Sequence, residues 1–167
     1  MKSKTHNMKK AFVFDFDDTL AFTDAHVLVL HNAGSWHRLT PAEFNCYELQ
    51  DGEYFDFSEF KNPEYILNGK PTTLVQLAKE VYAEGHGLFI LTARSDSTAN
   101  AIQEFLSLYG IKATAVHCVG DHGSNVARNK RKVLLTIMES YDKIYFYDDD
   151  ESNIEAAQEI GVKSYKV

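Results

Sequence analysis

The sequence lacks the features that mark secreted, membrane-spanning and zinc-dependent proteins. Its two cysteines, Cys46 and Cys118, lie far apart, form no CxxC pair and follow no secretory h-region, so we expect reduced thiols in a cytoplasmic protein. No apolar run approaches the length that spans a membrane. The seven histidines show no ligand spacing such as HxxxH, which argues against a zinc site. Internal repeats and low-complexity tracts are also absent.

The size and charge of the chain narrow the possibilities further. With 167 residues, 44% of them hydrophobic, the chain can bury one ordinary core, and we expect a single domain over residues 1–167. The net charge of −7 argues against stable binding to nucleic acid or an anionic membrane, although a nucleic-acid end remains possible as a substrate. The basic cluster around Arg128 and Arg131 is most simply a solvated helix face.

An apolar stretch that ends in carboxylates organises the chain. Residues 11–14 and Phe16 form a near-continuous hydrophobic run, typical of a parallel strand covered on both faces, and Asp15, Asp17 and Asp18 stand at its end. Like charges so close together need a cation, a shared proton or water. A divalent metal such as Mg²⁺ meets this need best because it takes hard oxygen ligands. Asp18 is more simply explained as a former of the turn after the strand.

From residue 71 onward, helix and strand patterns alternate. Helical spacing of apolar residues predicts helices over about 74–85, 97–109, 130–138 and 151–160, the third of them after a Gly-rich loop. Short apolar runs predict strands at 87–91, 114–119, 143–147 and 162–167. This alternation predicts a Rossmann-like α/β sandwich with a parallel sheet and right-handed crossovers. The polar, basic residues 1–10 are most simply a frayed tail before the first strand.

Residues 21–69 interrupt the regular pattern after the first strand. The apolar residues 27–30 predict a strand, and residues 35–39 predict a strand that returns after a turn, so we expect a hairpin that hangs over the carboxylates. Residues 40–43, Thr-Pro-Ala-Glu, carry an N-cap, a proline at the first helical position and a capping-box glutamate, so we expect a short helix to about Tyr47.

The rest of this insertion, from residue 48 to residue 69, has turn signals around an aromatic stretch at 54–60. We expect irregular structure there, with room for one short strand. The aromatic stretch and Trp36 are expected to pack in the core or in a lid, and base stacking by Trp36 is the alternative.

Three of the predicted strands end in polar side chains. The first ends in Asp15 and Asp17, the second in residues 92–94 (Thr-Ala-Arg) and the fourth in residues 148–150 (Asp-Asp-Asp). Ligands of open parallel sheets bind beyond the carboxyl ends of the strands, so we expect these groups to share one site. Solubility can explain one such strand end, but three together indicate function.

These residues resemble the motifs of the haloacid dehalogenase-like (HAD) hydrolases, most of which are Mg²⁺-dependent phosphatases. Residues 15–20, Asp-Phe-Asp-Asp-Thr-Leu, resemble the first motif of that family, Asp-x-Asp-x-Thr after a hydrophobic strand. Thr92 at the end of a strand resembles the second motif. Lys130 is identified with the lysine of the third motif, and Lys132 is the alternative.

The stretch 147–157 is similar to the fourth motif. Alignment on its Asn-Ile-x-Ala-Ala run puts Asp149 at the metal-ligand position and Asn153 four residues further on. Asp148 stands where many members of the family have glycine, which leaves open how Asp148 and Asp149 share the metal. Within the insertion, residues 23–25, 39–44 and 56–60 also resemble uncharacterised HAD-like proteins of bacterial viruses, and some of their relatives process nucleotides or nucleic-acid termini.

The resemblance implies a fold and a metal site. The fold is a three-layer sandwich with strand order 3-2-1-4-5 and a hairpin flap or small lid at 21–69. The cofactor is Mg²⁺, held by Asp15, by Asp17 through its main-chain carbonyl, and by Asp149.

The resemblance also implies roles in catalysis. Asp15 is the nucleophile that forms an aspartyl-phosphate, and Asp17 is the acid and base. Thr92 and Lys130 complete the catalytic set. The substrate phosphate is held by Thr92, Ala93, Arg94 and Lys130, although a structural ion pair is the equal alternative for Arg94.

The expected function is therefore Mg²⁺-dependent hydrolysis of phosphate monoesters. The expected substrate is a phosphorylated small molecule such as a nucleotide, or a nucleic-acid end. Two alternatives stay open, namely a catalytically silent phosphate-binding or scaffold module and a phosphotransferase of the same fold.

Overall fold

The computed structural model describes residues 7–120 and 125–167, so residues 1–6 of the predicted tail and residues 121–124 of the predicted Gly-rich loop lie outside the described residues. The strands of the described part are β1 Lys10–Phe14, β2 Ala21–Phe22, β3 Val27–His31, β4 Trp36–Leu39, β5 Glu53–Asp56, β6 Lys70–Pro71, β7 Gly87–Thr92, β8 Ala115–Cys118, β9 Lys143–Asp148 and β10 Lys163–Lys166. The helices are α1 Pro41–Cys46, α2 Ser58–Lys61, α3 Pro63–Leu67, α4 Leu74–Ala83, α5 Ala99–Ser107, α6 Val126–Met138 and α7 Glu151–Glu159.

The central sheet has five parallel strands in the order β8-β7-β1-β9-β10. Numbered along the chain, this order is 3-2-1-4-5, which confirms the expected topology. The continuous apolar sequence of β7 reflects its position, because all six of its residues are buried. Strand β1 lies in the middle of the sheet, so the residues that follow it emerge at the centre of the carboxyl edge.

Helices cover both faces of this sheet and make three layers. Alternate residues of β1 and β7 point to opposite faces, as a pleated strand requires. Phe14 and Ile90 pack in one core with α4 and α5, whereas Val13 and Leu91 pack in the other with α6 and α7. The predicted three-layer α/β sandwich is therefore confirmed.

The two ends of the insertion between β1 and α4 lie next to each other at the edge of the central sheet. Strands β2 and β6 pair antiparallel, with Ala21 opposite Pro71 and Phe22 opposite Lys70. Between them, β3 pairs with both β4 and β5 in a three-stranded antiparallel sheet, and we call the segment from β3 to α3 the flap. The predicted hairpin is β3 and β4, and β5 is the short strand for which the sequence left room.

Two features of the flap differ from the sequence prediction. Helices α2 and α3 occupy a region expected to be irregular; the Asn62 side chain accepts a hydrogen bond from the Glu64 amide, and Pro63 stands at the first helical position. These residues resembled a turn signal but act as a helix start. Trp36 was expected to pack internally but is 63% exposed, because on the edge strand β4 it lies on the face opposite to Leu39, the buried residue of that strand.

The flap has a small core of its own. Its buried members are Val27, Val29 and Leu39, and the aromatic side chains packed around them are Phe44, Tyr47, Phe55, Phe57 and Phe60. Most of the aromatic stretch thus packs as expected, while Tyr54 points outward. Helix α1 has the predicted start, since the Thr40 hydroxyl accepts from the Glu43 amide and donates to the Glu43 carboxylate. No helix of the described residues is long and apolar enough to cross a membrane.

Candidate active site

The turn after β1 presents carboxylates to a cavity at the carboxyl edge of the sheet. The carbonyl of Phe16 accepts from the amides of Thr19, Leu20 and Ala21, which bends the chain sharply. Asp18 has a φ of 59°, in the left-handed region that Asp tolerates better than most residues. Asp18 therefore shapes the turn, as its sequence position predicts, although its side chain also reaches the cavity beside Asp15.

Lys130 lies between two carboxylates that come from adjacent strands. Its Nζ is 2.7 Å from Asp148 Oδ2 and 3.2 Å from Asp15 Oδ1, and the residue is 2% exposed. Burial alone would lower the pKa of Lys130, but the charges of Asp15 and Asp148 outweigh it and raise this pKa well above its usual value. Lys132 is exposed, so of the two lysines Lys130 is the one at the site.

The Asp148 carboxylate already accepts hydrogen bonds from other groups of the protein. It is fully buried; Oδ2 accepts from Lys130 Nζ and from Asn153 Nδ2 at 3.0 Å, and Oδ1 accepts from the Asp150 amide at 2.9 Å. Asp149 is half-buried and lines the cavity. The two neighbouring carboxylates therefore differ, since Asp148 orients Lys130 and Asn153 while Asp149 faces the open space.

The carboxylates of Asp15, Asp148 and Asp149 form a cluster that could hold a metal ion. One oxygen of each lies within 4.8 Å of the others. Burial raises the pKa of Asp15 well above its usual value, Lys130 opposes the shift, and the charges of Asp148 and Asp149 add to it. Burial and the charge of Asp148 also raise the pKa of Asp149, to about 6. Three carboxylates against one ammonium group leave negative charge that a cation would neutralise.

The end of β7 contributes a hydroxyl and a short turn. Thr92 is 1% exposed, and its hydroxyl accepts from the Arg94 amide at 3.2 Å. Thr92 and Ala93 line the same cavity as Asp15. The structure therefore brings together the three strand ends that the sequence predicted would meet.

Arg94 turns away from the cavity and forms an ion pair with Asp17. Its Nε donates to Asp17 Oδ2 at 2.9 Å and its Nη2 to Asp17 Oδ1 at 2.7 Å. The guanidinium also donates to the Phe60 carbonyl at 2.5 Å and to the Thr23 hydroxyl at 3.3 Å, and the residue is 1% exposed. Of the two interpretations of Arg94, the ion pair is the one that this structure contains.

The flap supplies a wall of the cavity that sequence reasoning did not identify residue by residue. The cavity holds about 350 Å³, and its flap-side lining is Val27, Pro41, Phe44, Asn45, Phe57 and Phe60. The predicted hairpin and short helix indicated a cover over the carboxylates. Which flap side chains line the cavity depends on how the flap packs over the end of the sheet, and no local sequence pattern determines that packing.

Replacing Lys130 tests the charge balance of the cluster. Lys130→Met keeps an unbranched side chain but leaves Asp15 and Asp148 buried without their cation, so we expect the free energy of unfolding in EDTA at pH 7 to fall by about 3–5 kcal/mol. Lys132→Met, at an exposed position of the same helix, should change it by at most about 0.5 kcal/mol. Urea denaturation of both variants measures the difference, and equal effects would contradict the arrangement.

The raised pKa of Asp149 predicts a pH dependence of the metal-free protein. The folded chain binds this proton more tightly than the unfolded chain, so the contribution of Asp149 to stability falls as the pH rises from about 4 to about 6. Asp149→Asn should therefore gain stability relative to the wild type over this interval in EDTA. Glu155→Gln, at an exposed position of α7, is the matched control, and the same gain in both variants would refute the assignment to Asp149.

Neither a protein-family model nor a curated protein sequence matches the chain. Solved structures do match. A chain of the Pnkp1/Rnl/Hen1 RNA repair complex superposes with a TM-score of 0.60 and 16% identity over 99% of this chain and 44% of that one. This protein thus spans less than half the length of that neighbour.

Two further neighbours are similar to this chain over most of their own length. A haloacid dehalogenase-like hydrolase from Streptococcus pneumoniae has a TM-score of 0.57 and 17% identity, over 95% of this chain and 84% of that one. A HAD-family enzyme from Bacteroides thetaiotaomicron, in complex with magnesium and inorganic phosphate, has a TM-score of 0.50 and 14% identity, over 96% and 94%. With the strand order and the flanking helices in agreement, the chain has the haloacid dehalogenase-like fold.

Proposed function

We propose that this protein is a Mg²⁺-dependent phosphatase that hydrolyses phosphate monoesters through an aspartyl-phosphate on Asp15. One observation carries the proposal, namely that the Asp15 carboxylate lies 3.2 Å from the buried Lys130 ammonium and lines the same cavity as Asp17, Thr92 and Asp149. A nucleophile, a proton donor, a phosphate-holding hydroxyl and a cation are the groups that phosphoryl transfer to a carboxylate requires.

The donor set fits Mg²⁺, which prefers carboxylate and carbonyl oxygens. Asp15 and Asp149 would hold it together with the main-chain carbonyl of Asp17, whereas Asp148 already accepts three hydrogen bonds from the protein. When bound, the ion would neutralise part of the charge on the phosphate and on the carboxylates. The magnesium and phosphate in the Bacteroides thetaiotaomicron neighbour support this choice.

The proposed reaction has two steps. In the first, an Asp15 carboxylate oxygen forms a bond to phosphorus, the bond from phosphorus to the leaving oxygen breaks, and Asp17 gives its proton to that oxygen. In the second, Asp17 takes a proton from a water molecule, whose oxygen attacks phosphorus and displaces the Asp15 carboxylate. Inorganic phosphate leaves, and both aspartates return to their starting states.

The other residues of the site hold charge and position. We propose that the Thr92 hydroxyl and the backbone amide of Ala93 bind phosphate oxygens, and that Lys130 offsets the negative charge of the phosphate and of Asp15. For Arg94, the bidentate contact favours a role through Asp17 over the direct contact with substrate that the sequence suggested. Arg94 would then be a positioning residue that fixes the Asp17 carboxylate.

The substrate is proposed to be a nucleotide or a terminal phosphate of a nucleic acid. The neighbour in an RNA repair complex supports a nucleic-acid end, and the net charge of −7 favours a small molecule over a long polyanion. The proposed setting is the cytoplasm, where the unpaired Cys46 and Cys118 would stay reduced.

Hydrolysis of p-nitrophenyl phosphate tests the proposed activity. We expect turnover with Mg²⁺, loss of turnover in EDTA, and a decrease in kcat of roughly 10³-fold or more in Asp15→Asn, because that variant lacks the nucleophile. Asp51→Asn, at an exposed turn of the flap, is the control for removing a carboxylate. Turnover that survives Asp15→Asn would exclude Asp15 as the nucleophile, and no turnover of any phosphate ester by the wild type would favour a silent phosphate-binding module.

The dependence on the leaving group tests Asp17 and Arg94 together. Asp17→Asn should slow an alkyl phosphate more than p-nitrophenyl phosphate, since a poor leaving group needs the proton. Arg94→Lys keeps the charge but loses the bidentate geometry. We therefore expect it also to slow the alkyl phosphate more than p-nitrophenyl phosphate, but with smaller decreases in rate.

The double variant separates the two interpretations of Arg94. If Arg94 acts through Asp17, Asp17→Asn/Arg94→Lys should be no slower than Asp17→Asn alone. If Arg94 instead binds the substrate phosphate, the loss caused by Arg94→Lys will multiply the loss caused by Asp17→Asn and will be equal for both leaving groups.

A further inference from the structure

The cavity at the proposed site has two chemically different walls. The sheet side carries Asp15, Asp149 and Lys130. The flap side is apolar except for Asn45, and we call its apolar members the roof: Val27, Pro41, Phe44, Phe57 and Phe60. With a cation held by Asp15 and Asp149, the sheet side would suit an anionic group of a substrate, and the flap side suits an apolar group.

Contacts within the flap hold the rings of the roof. Phe44 and Phe57 meet edge to face, with ring centroids 5.7 Å apart and planes at 87°. Phe44 also meets Phe55 edge to face at 5.0 Å. The ring of Phe60 lies 5.0 Å from the guanidinium carbon of Arg94. The roof is therefore a preformed aromatic surface, which lowers the entropy cost of binding a flat ligand.

The charges around the cavity limit the substrate to one phosphate. Among the described lining residues, Lys130 is the only lysine or arginine, and Asp15 and Asp148 already pair with it. A second phosphate would face Asp17, Asp18 and Asp150 without a cation of its own. The roof likewise offers no side-chain hydrogen-bonding group to a sugar rich in hydroxyls, and Asn45 is the one amide on that side.

We propose that the roof binds the planar base of a nucleoside monophosphate unit while the phosphate of that unit lies at Asp15. This inference rests on the proposed function and assigns the surface that would recognise the base of its substrate. Stacking on aromatic rings suits any base because every base has a flat π-face. The cavity of about 350 Å³ lies at the small end of the roughly 300–1,000 Å³ typical of ligand sites, as one nucleotide unit requires.

Binding to an inactive variant tests the inference without relying on turnover. In Asp15→Asn with Mg²⁺, calorimetry should show that adenosine 3′-monophosphate or 5′-monophosphate binds more tightly than glucose 6-phosphate. Adding Phe44→Leu should weaken nucleotide binding about tenfold, because the stacking ring is lost. Adding Phe44→Tyr, which keeps the ring, should retain the affinity.

Tyr54→Leu is the matched control. Tyr54 is an aromatic residue of the same flap that points outward and does not line the cavity, so its replacement should leave nucleotide binding unchanged. Urea denaturation of each variant separates a weakened flap from a lost contact. Equal weakening in Phe44→Leu and Tyr54→Leu, or equal binding of nucleotide and glucose 6-phosphate, overturns the inference.

Turnover by the wild type then identifies the source of the nucleotide unit. Higher kcat/KM on a 3′- or 5′-phosphorylated oligonucleotide than on the free nucleotides assigns the terminal unit of a strand, and the reverse assigns free nucleotides. If p-nitrophenyl phosphate is hydrolysed but nucleotides show no advantage over glucose 6-phosphate, this inference fails and the phosphatase stands. If no ester is hydrolysed, the proposed function fails, and the calorimetric result decides this inference separately.

Discussion

Repulsion between buried carboxylates is the constraint on which the centre of this structure depends. Strands β1 and β9 are adjacent and parallel, and the Asp15 amide donates to the Tyr147 carbonyl at 2.9 Å. This register brings the ends of the two strands to the same height, so Asp15 and Asp148 are brought together by the backbone. Burying both charges without a cation would cost several kcal/mol, and Lys130 of α6 offsets that cost. One lysine cannot balance Asp149 as well, and this excess charge leaves a carboxylate cluster at the edge of the sheet that could hold a cation.

A second ion pair connects the sheet to the flap. Arg94 follows β7, Asp17 follows β1, and the same guanidinium donates to the Phe60 carbonyl of the flap. Each donor on this planar group has a fixed direction, so its partners fix one another's positions. The orientation of the Asp17 carboxylate and the position of the flap at Phe60 are therefore parts of one arrangement. The flap contributes to the site through its backbone as well as through its side chains.

The sequence predicted those parts of the structure that depend on local patterns of residues. The apolar run before Asp15 and the alternation of strands and helices were sufficient for the parallel sheet and the meeting of three strand ends, whereas the strand order and the three layers were predicted from the resemblance to the HAD motifs. Lys130 was preferred to Lys132 through the resemblance and not through local pattern, because the distinction depends on which face of α6 turns toward β1. The pairing of Arg94 with Asp17 joins residues 77 positions apart, and no spacing rule relates them.

Helices α2 and α3 were not predicted, and the reason is a different one. Asn-Pro starts a turn in one context and a helix in another, and the choice at Asn62 depends on the packing of Ile66 against the core of the sheet domain. Trp36 was misjudged because aromatic residues usually pack inside. A three-stranded sheet that covers its core with one face leaves the other face in water. Trp36 of β4 lies on that water-facing side.

Side chains that line the cavity on the flap side also hold the flap together. Strands β2 and β6 close the base of the insertion with a single antiparallel pair of short strands. The three-stranded sheet of the flap has only a small hydrophobic core to stabilise it. Phe44, Phe57 and Phe60 belong to that core and also line the cavity. A ring in this position cannot be replaced without changing the packing that holds the flap together. The chemistry of the roof is therefore constrained by folding, whereas the carboxylates opposite it are constrained by their charge.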